Sequence, residues 1–174
     1  MRRRAWLAGG GVAVAATVCG VAWHLRESLV AAPTDEASAG LWQMRFQRPE
    51  GGTLEMAALR GRLVLLNFWA TWCPPCIKEM PELEAFQQRQ GGAGWQVVGL
   101  AIDNPAAVRE FLARSPVRYP IGLAGMEGAD LSRRLGNERG GLPFSVVFGR
   151  NGQPLARRLG ETRRDLLLEW AAKY

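Results

Sequence analysis

Cys73 and Cys76 enclose two prolines in Trp72-Cys73-Pro74-Pro75-Cys76, and they are two of only three cysteines in the 174-residue chain. Two thiols at that spacing have three uses: a local crosslink, half of a metal site, or a pair that cycles between dithiol and disulfide. A structural zinc site needs two more ligands, and the single histidine, His24, lies in an apolar amino-terminal run. No metal is therefore expected. A crosslink across so small a loop restrains few residues and stabilises little. Placement favours cycling, because an apolar strand pattern ends just before Cys73 and a helical pattern begins there. At a helix start the dipole and unpaired N–H groups favour thiolate over thiol. Cys73 is then the attacking sulfur and Cys76, about one turn further on, the resolving one. Pro74 and Pro75 have no N–H to offer, which reduces backbone support for the Cys73 sulfur.

Resolution requires Cys76 to lose its proton. Glu79, three residues on along the same helical face, can accept it directly or through water if burial raises its pKa. The plainer use of Glu79 is an acidic residue favoured near a helix start, and the sequence leaves both open. Asn67, on the preceding strand, can orient a group beneath the sulfurs but cannot take a proton at neutral pH. Trp72 is expected to be partly exposed as a flat contact for a substrate, with Pro74 beside it, while Trp69 fills core. Gly141-Leu142-Pro143 precedes a later strand, and a cis Leu142–Pro143 bond would bring its backbone against the sulfur pair.

The elements that must position these residues follow from periodicity. Leu41 to Gln47 reads as a strand, and Leu54 to Leu59 as a brief strand or helical turn. Leu63 to Trp69 is a near-continuous apolar run, as expected of a strand covered on both faces. From Cys73 to Gln90 the spacing of Ile77, Met80, Leu83 and Phe86 is helical, with Pro81 inside and Gly91, Gly92 and Gly94 at the stop. Trp95 to Ile102 is the next strand, and Ala106 to Arg114 a helix with Pro105 in its first turn. Tyr119 to Leu123 and Ala129 to Leu135 form a weaker strand–helix pair. Phe144 to Phe148 and Leu155 to Leu159 flank Asn151-Gly152, a hairpin signal, and Arg163 to Ala172 closes the chain as a helix burying Leu166, Leu167 and Trp170. This order describes an α/β domain over residues 41–174, a central mixed sheet with helices on both faces.

Ahead of that domain, a basic tip at residues 1–4 precedes Ala5 to Leu25, a run without Asp, Glu, Lys or Arg. As a helix it spans about 31 Å, roughly the hydrocarbon thickness of a bilayer. Arginines before the run place the amino terminus in the cytoplasm and the domain beyond the inner membrane, in the periplasm of a bacterium. A cleaved signal has the same charge order, with Val30-Ala31-Ala32 as its cleavage candidate. The length of the run and the interfacial finish at Trp23 to Glu27 favour an uncleaved single-pass anchor. Residues 26–40 read as a linker.

The formal net charge of +6 suggests nucleic acid, but Arg2, Arg3 and Arg4 supply three of those charges. The other arginine pairs, such as Arg157-Arg158, have no interleaved aromatic stripe, so no nucleic-acid function is expected. With His24 in the span, the exported domain also lacks a Ser-His-Asp or Cys-His arrangement.

Leu65-Leu66-Asn67-Phe68-Trp69-Ala70-Thr71-Trp72-Cys73-Pro74-Pro75-Cys76, continued by Ile77-Lys78-Glu79-Met80-Pro81, resembles the thioredoxin superfamily. Within it the stretch resembles the membrane-anchored, extracytoplasmic branch related to TlpA, ResA and the cytochrome c maturation thioredoxins. The resemblance covers roughly Leu41 to Tyr174. It implies a thioredoxin-like fold, Cys73 and Cys76 as catalytic sulfurs, Pro143 as the cis proline and Glu79 as the acidic residue beside the active site. Trp72, Pro74 and Leu142 fall in the substrate-binding surface. Cytoplasmic thioredoxins carry a buried aspartate where this chain has Asn67, which moves any buried-base duty toward Glu79. The resemblance further implies a monomeric protein-disulfide reductase without a bound cofactor, acting on a disulfide-containing periplasmic protein such as apocytochrome c or a copper chaperone. Its electrons would come from a membrane dithiol donor of the DsbD or CcdA type. Gly140-Gly141-Leu142 lacks the features of a dedicated cytochrome c maturation member. Two alternatives remain: an oxidase or isomerase on the same fold, marked by a much less stable disulfide, and a redox-inactive docking module, marked by a pair that never cycles.

Overall fold

A computed structural model describes residues 34–174. The basic tip, the apolar span and the first part of the linker lie outside the described residues. No helix among the described residues is long and apolar enough to cross a membrane. In chain order the elements are α1 (Thr34–Leu41), β1 (Arg45–Gln47), β2 (Thr53–Glu55), a 3-10 turn (Met56–Leu59), β3 (Leu63–Trp69), α2 (Pro74–Gln90), β4 (Trp95–Ala101), α3 (Pro105–Arg114), β5 (Ile121–Leu123), α4 (Glu127–Arg134), β6 (Phe144–Phe148), β7 (Pro154–Leu159) and α5 (Arg164–Lys173).

The strands form one sheet in the order β2-β1-β5-β4-β3-β6-β7. β3 runs parallel to β4 and antiparallel to β6, and all its residues are buried. Its period-2 alternation divides the core in two. Leu63, Leu65 and Trp69 face a cluster with Met80, Leu83 and Phe86 of α2, Val108 of α3, and Leu167 and Trp170 of α5. Val64, Leu66 and Phe68 face the other cluster, with Leu41 of α1 and Leu131 of α4. A strand buried on both faces has no polar side to show, which is why its sequence is apolar throughout.

The expected hairpin is present, with β6 and β7 antiparallel. At its turn Gly152 has φ +82°, and a Cβ there would stand 2.8 Å from the Trp42 indole nitrogen, which donates to Gly152 O at 2.9 Å. Glycine is required on both counts.

Three expectations are corrected. Residues 34–40, read as linker, belong to helix α1, which packs against α4 and buries Ser38 and Leu41. Its apolar residues gather at the carboxyl end instead of forming a stripe, so tertiary contact, not local periodicity, defines the helix. The strand expected over Leu41–Gln47 shrinks to Arg45–Gln47, because Leu41 and Trp42 are drawn into the helical cluster. On α2, Met80, Leu83 and Phe86 are buried as expected, but Ile77 is 36% exposed and Glu79 is fully buried. The inward stripe at the start of α2 is Cys76 and Glu79.

Candidate active site

Cys73 is the N-cap residue of α2, with Pro74 and Pro75 in the first turn, and it forms a disulfide with Cys76 across a Cα–Cα distance of 5.3 Å. β3 ends at Trp69, so the sulfurs sit beyond the carboxyl end of the central strand. The local hydrogen bonding is tight: Cys73 N donates to Ala70 O at 3.3 Å, while Cys76 N and Ile77 N both donate to Cys73 O, at 3.0 and 3.2 Å. The first-turn amides expected to meet the Cys73 sulfur are thus either missing, at the prolines, or bonded to the Cys73 carbonyl. The helix dipole remains. Both cysteines are buried, whereas Trp72 is 66% exposed and Pro74 is exposed.

Leu142–Pro143 is cis. Pro143 O accepts from Gly160 N at 2.8 Å, fastening the loop to the end of β7. Leu142 packs against both core clusters. Between Trp72 and Leu142 lies a cleft of about 580 Å³, walled also by Asp103, Pro105 and Met126, the last 80% exposed. The structure therefore brings Trp72, next to the disulfide in sequence, and Leu142, from a segment far along the chain, to one cleft.

The buried face of α2 that carries Cys76 also enters a polar cage. Glu79 lies on the Cys76 face of α2. Its Oε1 accepts from Asn67 Nδ2 at 2.7 Å, and its Oε2 accepts from the backbone N–H of Thr162 at 2.6 Å. Asn67 Nδ2 also donates to Ser145 Oγ at 3.1 Å, and Ser145 Oγ and Thr162 Oγ1 are hydrogen-bonded at 3.1 Å. Glu79, Asn67, Ser145 and Thr162 are all buried. Burial pushes the Glu79 carboxyl up from 4.5 to about 7, against the hydrogen bonds from Thr162 and Asn67, which favour the charged form; the nearby Glu161 carboxylate adds to the rise. Immediately outside, Lys78 and Glu161 pair at 3.0 Å.

Ser145 and Thr162 are the cage members that sequence reasoning missed. They lie 78 and 83 positions from their partners Asn67 and Glu79. Ser145 did carry a signal, as the one hydroxyl within the apolar β6. Thr162 carried none, since its amide reaches Glu79 and its hydroxyl reaches Ser145 only once the chain has folded. Among the described residues no cluster of His, Cys, Asp and Glu is arranged to hold a metal ion.

The sequence pattern of the Redoxin family matches residues 35–166. Over 172 residues the chain is 31% identical to thiol-disulfide oxidoreductase ResA of Halalkalibacterium halodurans, covering 97% of this chain and 94% of that protein. It is 29% identical to ResA of Bacillus thuringiensis subsp. konkukian over 71% of this chain and 70% of that one. Among solved structures, a thiol:disulfide interchange protein of the thioredoxin family from Chlorobium tepidum superposes with a TM-score of 0.63 at 26% identity, covering 74% of this chain and 92% of that chain.

Proposed function

Because the chain belongs to the Redoxin family and, within it, to the ResA-like thiol–disulfide oxidoreductases, we propose that it reduces disulfides of exported proteins, with Cys73 attacking and Cys76 resolving. In the reduced protein the Cys73 thiolate attacks one sulfur of the substrate disulfide. That bond breaks, the other substrate sulfur leaves as thiolate, and a mixed disulfide joins substrate to Cys73. Cys76 then gives its proton to Glu79, directly or through water, and attacks the Cys73 sulfur. The substrate leaves as a dithiol, two electrons richer, and the Cys73–Cys76 disulfide is formed. Trp72, Pro74, Leu142 and Pro143 line the surface on which the substrate lies.

The observation that carries this reading is the caged Glu79 carboxyl one turn beyond Cys76. With a pKa raised to about 7, it is poised to exchange a proton at neutral pH. The direction of electron flow draws on the Cys73 surroundings. Strongly oxidising pairs stabilise the attacking thiolate heavily, and here two prolines and two amides already bonded to the Cys73 carbonyl leave little backbone for that purpose.

The apolar run Ala5 to Leu25 supports a single-pass anchor holding the domain on the periplasmic side. A membrane dithiol donor of the DsbD or CcdA type would re-reduce Cys73–Cys76, with the anchor raising its effective concentration. Apocytochrome c or a copper-chaperone disulfide fits as substrate, and the domain acts as a monomer.

Two measurements on the full chain test this. Cys76→Ser should leave Cys73 joined to a protein partner as a mixed disulfide after gentle lysis and acid quenching. The equilibrium reduction potential of the pair should fall near the reducing end of the scale, about −270 mV, while a value near −120 mV would make the protein a disulfide donor instead.

A further inference from the structure

Asp103, just past the end of β4, reaches across to the turn that carries the active site. Its Oδ2 accepts from both the backbone N–H of Thr71, at 2.8 Å, and the Thr71 hydroxyl, at 2.6 Å. Its Oδ1 accepts from Asn104 N at 2.6 Å. Asn104 Oδ1 in turn accepts from Ala106 N at 2.8 Å and caps α3. One carboxylate thus joins the turn before Cys73 to the amino terminus of another helix. Alongside it, Ile102 N donates to Trp69 O at 2.8 Å.

We propose that Asp103 is a positioning residue for thiol–disulfide exchange, clamping Thr71 so that the turn presents Trp72 to a polypeptide substrate. Trp72, two-thirds exposed, has little packing of its own, so its direction follows the backbone that Thr71 fixes. Asp103 itself forms part of the wall of the cleft between Trp72 and Leu142. Three donors on two oxygens suit a carboxylate, since the one oxygen of an amide accepts from two at most and its NH2 would face the third donor. Burial works against the charge, but the bonds from Thr71 and Asn104 outweigh it and hold the Asp103 carboxyl below its usual range.

A small disulfide needs only the Cys73 sulfur, whereas a polypeptide must also lie along the cleft, so loosening the turn penalises the polypeptide selectively. The inference rests on Cys73 being the attacking sulfur. The experiment compares reduced full-length protein with Asp103→Asn and Thr71→Val, using glutathione disulfide and a disulfide-closed peptide with aromatic flanking residues as probes. Asp103→Asn should slow the peptide reaction about tenfold or more, the scale of losing a charge-assisted hydrogen bond, and change the glutathione disulfide rate less than about twofold. Thr71→Val should give a smaller loss of the same selectivity, Thr71→Ser should restore it, and the potential of the cysteine pair should not move. Equal slowing of both probes, or no change in either, overturns the clamp. If Asp103→Asn fails to fold, Thr71→Val and Thr71→Ser carry the same comparison. A wild-type protein that exchanges with neither probe would instead overturn the assignment of Cys73.

Discussion

A carboxyl group gives up its proton reluctantly when no water reaches it, and Glu79 is such a group. Its pKa of about 7 in the fold against 4.5 outside has a thermodynamic counterpart. Below about pH 4.5 the carboxyl is protonated in both folded and unfolded chains and costs nothing. Between 4.5 and 7 the folded protein holds a proton that the unfolded chain has released, so stability falls as pH rises through this window. Above 7 the loss is complete, at about 3 kcal/mol. Urea unfolding of the oxidised protein at several pH values should show that decline, and Glu79→Gln should lack it, so the difference between the two proteins changes across this window. A parallel pair of curves would mean that Glu79 titrates normally. The sequence placed Glu79 on the correct helical face but could not choose between surface acid and buried base. That choice depends on Asn67, Ser145 and Thr162, whose assembly is a matter of tertiary structure.

Elements show the same division between local and distant information. β3 was legible because burial on both faces writes itself into every residue, and the β6–β7 hairpin because Asn151-Gly152 has conformational needs that few other pairs meet. The stretch that forms α1 was not, since what holds it is its packing against α4, with Leu41 and Leu131 in one buried cluster that no local pattern encodes. Ile77 was misplaced for a related reason: apolar spacing alone cannot reveal that a buried carboxyl, Glu79, occupies the inward position. Packing between elements yields a further expectation at β5. A Cβ on Gly122 would come within 2.8 Å of both Leu100 Cδ2 and Phe46 Cβ, and the latter cannot swing aside without moving β1. Gly122→Ala should therefore destabilise the domain by about 1–3 kcal/mol, the usual cost of overpacking, seen as a lower urea midpoint with the slope unchanged.

Across the whole molecule, both edges of the sheet are blunted against strand addition. β2 at one edge has three residues, and β7 at the other exposes Arg157 and Arg158, a charged border that discourages strand addition. The caged carboxyl also gives the protein an electrochemical character. Reduction adds two electrons to the disulfide and takes up protons to the extent that the new thiols stay protonated, so the potential is a function of pH. A thiolate at Cys76 and an ionised Glu79 one turn away would repel each other. The midpoint potential plotted against pH should accordingly bend near neutrality instead of following one straight line. Glu79→Gln should straighten that region, leaving only the bends that belong to the two sulfurs. A potential that bends in this way makes the driving force for electron transfer depend on the acidity around the domain, read through a carboxyl that the fold keeps from water.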